Sequence, residues 1–172
     1  MIFKELEIDG VYKISLEKRE DDRGYFARCY CEREFKTHGL HTSFVQENLS
    51  FNERKGTLRG MHYQKAPYGE VKVVSCLHGA IYDVVLDIRE GSSTYGKWIA
   101  ETLTGENNDM LYIPEGMAHG FQTLEADSLV HYQMGAFYVP EAAKGIRFDD
   151  ERFRISWPIE EKIISEKDLK FD

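Results

Sequence analysis

Along most of the chain, apolar and polar residues alternate over short runs, and Gly, Pro, Asn and Asp punctuate the runs. A period of two is the mark of strands whose side chains point in turn to the two faces of a sheet. The alternation predicts strands at 11–16, 25–30, 43–50, 57–64, 70–76, 80–88, 97–103, 109–113, 119–124 and 129–136. Many short strands with turn signals between them favour a sandwich, jelly roll or barrel over any βαβ scheme. Helical spacing occurs at 32–38, with Gly39 as its stop, and a short turn fits 165–170. There Ser165 can cap, and Glu166 and Asp168 lie near the positive end.

The segment 80–88 is unusual. Tyr82, Val84, Leu86 and Ile88 make one apolar face, while Ile81, Asp83, Val85 and Asp87 make a mixed one. An apolar outer face packed on another sheet, with a polar inner face, is what a barrel with a wet ligand cavity would show. A half-exposed strand with solvated carboxylates would give the same pattern.

Composition narrows the partners. With 172 residues the chain is long enough for a single domain with a substantial core. It has 30 acidic and 22 basic residues, a formal net charge of -8, and no block of Lys and Arg. Nucleic acid is therefore a poor partner, and any anionic ligand must be met by local cations. No apolar run approaches the roughly 20 residues of a membrane span, and MIFKELEIDG lacks a secretory pattern, so a cytoplasmic location and no membrane partner are expected. The three cysteines, Cys29, Cys31 and Cys76, read as reduced packing residues. Trp98 and Trp157 read as core, and His38, His41, His78 and His131 as structural.

Reactive side-chain types concentrate in RGMHYQ at 59–64, EVKVV at 70–74, IPEGMAHGF at 113–121 and the Tyr-rich stretch 132–138. The unit Pro114-x-Gly116-x-x-His119 resembles the second motif of the cupin superfamily, in which a tight turn carries a histidine into a barrel mouth. Metal-binding cupins supply a His-x-His pair in the first motif, but here the pair is His62-Tyr63-Gln64. An amide is a poor transition-metal ligand, so no metal site is expected. What remains is an imidazole, an ammonium, a guanidinium, carboxylates and a phenol, the equipment for moving protons beside a carbonyl. Such a reaction needs a cation near the developing enolate as well as a base. Inversion further needs proton carriers on opposite faces of the ring.

RGMHYQ, KVV with GAIYDVVLDIREGSSTYGKW, LYIPEGMAHGF, GIRFDDERFRISWP and IISEKD occur in this order between about residues 23 and 168. In these blocks the chain resembles the dTDP-4-dehydrorhamnose 3,5-epimerase family over nearly its whole length. The resemblance implies a mostly β, cupin-type jelly-roll barrel with a few short helices, and an isomerase of deoxysugar biosynthesis. The reaction would be epimerisation of a nucleotide-linked 4-keto-6-deoxy sugar at carbon 3, carbon 5 or both, with no cofactor. His62 would be the base, Asp168 its hydrogen-bonding partner, and Tyr132 the acid on the opposite face. Lys72 and Arg59 match cations near the keto oxygen and phosphates, and His119 and Asp83 match residues lining the cavity. Gln46 and Asn48 match a substrate-contacting Q-x-N, Lys167 lies in the matching tail, and Tyr138 matches an aromatic that stacks on the nucleobase.

Arg23 and Phe26 match a strand that crosses to a partner subunit, which implies a homodimer with shared sites. The expected organisation is one domain over 1–172: strands in about 1–50 contributing to the dimer, a barrel core at about 43–136, and a segment 137–172 closing the site. Two departures stand out. Arg28 follows Phe26 and Ala27 where the family carries an acid, and Ala143 stands where the family has the second acid of P-E-x-E. Both family acids contact the nucleotide end, so a GDP-, CDP- or UDP-linked substrate is an alternative to a dTDP-linked one. A metal-dependent cupin and a non-catalytic sugar-nucleotide binding module are the readings from other classes. One difficulty is local: on a regular strand Arg59 and His62 face opposite sides, unless Gly60 supplies a bulge.

Overall fold

The alternating segments fold into two facing sheets, in a computed structural model that describes residues 1–171. The elements are β1 (Ile2–Glu5), β2 (Tyr12–Ser15), β3 (Arg19–Asp21), β4 (Gly24–Phe26), helix α1 (Glu32–Thr37), β5 (Gln46–Asn52), β6 (Thr57–Gln64), β7 (Lys72–His78) and β8 (Ala80–Asp87). They continue with β9 (Trp98–Thr104), β10 (Met110–Ile113), β11 (Met117–Thr123), β12 (Ser128–Met134), β13 (Ala143–Gly145), β14 (Ile163–Ile164) and a 3-10 turn, Asp168–Lys170. One sheet has the order β1-β2-β10-β7-β12-β5 and the other β13-β6-β11-β8-β9. β14 pairs with β6 in parallel, and β3 and β4 form a separate hairpin.

Between the sheets, Val74, Leu111, Ile113 and Val130 of one layer meet Ile81, Val85, Leu103 and Phe121 of the other. Burying each such side chain contributes about 1.5–3 kcal/mol. A second apolar cluster coats the outer face of the first sheet. Phe35 of α1 lies fully buried there with Ile14, Val73 and Tyr112. A third covers the second sheet, where Phe153, Ile155 and Trp157 pack on Val84, Leu86 and Tyr82. The apolar face of β8 is thus covered by the coil after β13, not by another sheet. Its mixed face is not solvated either, since Asp83 and Asp87 are both fully buried.

Other expectations need correction. The segment 27–30 is not a strand, because β4 ends at Phe26 and Cys31 already occupies the N-cap position of α1. Cys29 is exposed and belongs to no apolar cluster, whereas Cys76 sits in the inter-sheet core, where burial pushes its thiol up to about 11. The strand placed at 43–50 begins at Gln46 and runs on to Asn52. β1, β3, β13 and β14 went unread, each being four residues or shorter. The expected turn is shorter, Asp168–Lys170, and its N-cap residue is Lys167 instead of Ser165, although Ser165 Oγ accepts from the Asp168 N–H at 3.1 Å.

The bulge suggested by Gly60 is present. Facing β11, Phe121 is opposite Arg59 but His119 is opposite His62, so two steps of β11 span three of β6. Gly60 has φ 121°, and a Cβ there would stand 2.5 Å from Gly120 Cα and 2.8 Å from His119 O. Both glycines are needed for the strands to approach, and the irregularity turns Arg59 and His62 into the same space.

Asp87 pins the loop between β8 and β9. Its carboxylate accepts from Arg89 N, Nε and Nη2, from Ser92 Oγ and from Thr94 Oγ1, at 2.6 to 3.0 Å. Burial alone would raise this carboxyl, but the donors outweigh it and hold it well below the usual carboxylate range.

Two outcomes follow for stability. Gly60→Ala is expected to cost about 1–3 kcal/mol and to lower turnover, read by chemical denaturation and by activity. Asp87 is depressed in the folded state, so its contribution is complete above the unfolded value of about 3.9 and is lost as pH falls through the folded one. Asp87→Asn should remove about 2–4 kcal/mol at neutral pH and flatten the acid limb of stability, measured by urea midpoints from neutral pH downward.

Candidate active site

Away from the inter-sheet core the two layers enclose a cavity of about 570 Å³, walled on one side by β5, β7 and β12 and on the other by β6, β11 and β13. Gln46 and Asn48 of β5, Lys72 of β7 and Tyr132 of β12 line the first wall. Arg59 and His62 of β6 and His119 of β11 line the second. Tyr138 and Lys167 close the rim.

The His62 ring presents Nε2 to Asp168 Oδ1 at 2.8 Å. Asp168 sits in the 3-10 turn, its side chain 6% exposed, and its other oxygen accepts from Gly60 N–H at 3.3 Å. Burial would raise this carboxyl, but the imidazole, the Gly60 N–H and Ser165 together lower it. An ionised carboxylate only accepts, so the proton of this hydrogen bond is on Nε2, and Nδ1 is the nitrogen that carries the lone pair of the neutral ring. Phe171 packs edge-on to the imidazole, ring centroids 5.7 Å apart. It fits because residue 145 is glycine, where any Cβ would run into the Phe171 ring.

His119 repeats the arrangement at the cavity floor, with Nε2 2.7 Å from Asp83 Oδ1 and both side chains buried. Asp83 Oδ2 is buried without a hydrogen-bond partner among the described residues. The Tyr132 ring lies edge-on to His119, centroids 6.1 Å apart. Burial first, and then the Asp83 charge, push the Tyr132 phenol well above its ordinary range, against a smaller opposing pull from Arg59. The phenol is therefore held neutral and protonated.

Lys72 reaches the cavity with a partner. Its Nζ lies 2.9 Å from Glu70 Oε1 and donates to His62 O at 3.4 Å. Arg59 donates through Nε to Asn52 Oδ1 at 2.7 Å. Arg59, Lys72, Lys144 and Lys167 line the cavity against a single carboxylate, Glu70, among the described residues. A chain of net charge -8 thus carries a local excess of cations where an anion would bind.

Most of the residues singled out from sequence come together here. Asp168 and Asp83 stand behind the wall, each on a histidine. Arg23, Phe26 and Arg28 are not brought to the cavity of their own chain. Arg23 pairs with Asp21 on the exposed hairpin, Phe26 is 74% exposed, and Arg28 is 2.7 Å from Glu34 beside α1. Of the two departures from the family pattern, Ala143 lines the cavity and Arg28 does not. Glu70, Lys144 and Phe171 also line it and were missed. Glu70 could have been found, since residues two apart on a strand share a face. Among the described residues no group of three or more His, Cys, Asp or Glu is arranged to hold a metal ion.

Comparison with known proteins agrees with this architecture. Residues 5–172 match the family described as dTDP-4-dehydrorhamnose 3,5-epimerase. The chain is 41% identical over 169 residues to the dTDP-4-dehydrorhamnose 3,5-epimerase of Sinorhizobium fredii, covering 98% of this chain and 87% of that one. It superposes with TM-score 0.97 and 34% identity on the dTDP-4-dehydrorhamnose 3,5-epimerase of Bacillus anthracis, solved with TDP and PPi bound, covering 99% and 98% of the two chains. With the dTDP-6-deoxy-D-glucose-3,5-epimerase of Legionella pneumophila, solved with dTDP-4-keto-L-rhamnose, the TM-score is 0.92 at 36% identity, covering 98% and 89%. From the ordered sequence blocks through the two-layered fold to these matches over nearly its full length, the chain belongs to the dTDP-4-dehydrorhamnose 3,5-epimerase family and is an isomerase.

Proposed function

We propose that the protein epimerises a dTDP-linked 4-keto-6-deoxy sugar at carbon 3, carbon 5 or both. The observation that carries this reading is that His62 and Tyr132 enter one cavity from opposite sheets. A sugar ring held between facing sheets, about 10 Å apart, exposes one face to each. Nδ1 of His62 takes the proton next to the ketone, and Asp168 stabilises the imidazolium that results. Lys72, with Arg59 near the phosphates, stabilises the charge that moves onto the keto oxygen. The neutral Tyr132 phenol then returns a proton to the other face. The His119–Asp83 pair supports the cavity floor, while Gln46, Asn48 and Lys167 contact substrate and Tyr138 stacks on the base.

The working unit is proposed to be a cytoplasmic homodimer built of single-domain chains. β5 is the last strand of its sheet and leaves an outer edge, with Leu49 and Phe51 exposed beside it. The hairpin bearing Arg23 and Phe26 is the segment expected to reach a partner's site, with Arg28 just beyond it. No helix among the described residues is long and apolar enough to cross a membrane. The open space at Ala143 favours testing the carrier directly: calorimetric titration should find dTDP bound more tightly than GDP, CDP or UDP. Tighter binding of another diphosphate would reassign the carrier.

His62→Ala should reduce deuterium exchange at each exchanging carbon beside the ketone by about 100- to 10,000-fold. Tyr132→Phe should spare most of the wash-in from heavy water yet block inversion, both read by NMR. Equal loss of wash-in in the two variants would remove Tyr132 from the acid role.

A further inference from the structure

Glu70 is the carboxylate that lines the reaction cavity, and it touches the Lys72 ammonium. Both side chains are shielded, 10% and 7% exposed. Their placement comes from the chain that leads into β7. Val71, between them, is buried in the outer apolar cluster, and its carbonyl accepts from Gly135 N–H at 2.8 Å. Val71 thus packs outward, while Glu70 and Lys72 on either side of it both line the cavity.

A carboxylate is a costly neighbour for a site that must stabilise an enolate, because it offsets the cation there. Its presence calls for a compensating role. A lysine ammonium is a point charge on a flexible four-carbon stem, and a bound diphosphate would draw it away from the ketone. The ion pair with Glu70 and the hydrogen bond to the His62 carbonyl fix it instead beside the residue that carries the base. We propose that Glu70 is a positioning residue, whose carboxylate holds the Lys72 ammonium at the ketone end of the cavity and withholds it from the diphosphate. The inference rests on the reading of Lys72 as the cation that stabilises the enolate.

The test compares Glu70→Ala, Glu70→Gln and Lys72→Ala in steady-state kinetics with a dTDP-linked 4-keto-6-deoxy sugar. Glu70→Ala should lower kcat about 10- to 100-fold with KM no higher than in the parent, since the freed ammonium can still meet the diphosphate. Glu70→Gln, whose amide oxygen still accepts from Nζ, should keep kcat within about threefold. If Glu70→Ala does not fold, Glu70→Ser takes its place, being polar but too short to reach the ammonium. Parental kcat in the short variants, or a raised KM with parental kcat, overturns the inference. So does a Glu70→Gln enzyme as impaired as the short variants, which would make charge rather than placement the requirement. Parental kcat in Lys72→Ala would instead overturn the reading of Lys72 itself, so the two failures are distinct.

Discussion

The constraint on which the site depends is that a charge facing inward between two sheets is costly unless it has a partner. An isolated charge there is expensive, whereas a hydrogen-bonded pair is tolerated. Four contacts in the site follow this rule: Asp168 on His62, Asp83 on His119, Glu70 on Lys72, Asn52 on Arg59. The pairs are what allow polar residues into strands that are otherwise apolar. They also fix each ring or head group in one orientation before any ligand arrives, which is the condition for electrostatic catalysis.

The sheets themselves provide the second condition. Because β6 and β12 belong to different layers, a base and an acid can stand on opposite sides of one ligand without either leaving its strand. The departure from regular geometry at Gly60 serves the same arrangement by turning Arg59 to the side of His62. The apolar core between the layers holds them at the spacing the cavity requires.

Much of this was legible in the chain, for identifiable reasons. Strands of six residues or more declare themselves by alternation, and the conflict in parity between Arg59 and His62 pointed to a bulge at Gly60. Short pieces such as β13 and β14 carry no period, and they form only because β6 offers an edge. The hydrogen bond between His62 and Asp168 spans 106 positions, so no local pattern encodes it, and only resemblance supplied it. The partner of Lys72 lies two residues away, just before β7 begins. Arg28 lies beyond what the cavity of one chain can explain, since its guanidinium is engaged by Glu34.

The central claim is that a proton leaves one face of the sugar and another arrives on the opposite face. It is tested most directly by incubating the unaltered protein with a dTDP-linked 4-keto-6-deoxy sugar in heavy water and following the ring by NMR. The account predicts deuterium at carbon 3, carbon 5 or both, beside the ketone, with inverted configuration wherever it enters. A sugar nucleotide that binds in the cavity and emerges inverted without deuterium, or that binds and neither exchanges nor inverts, would contradict it.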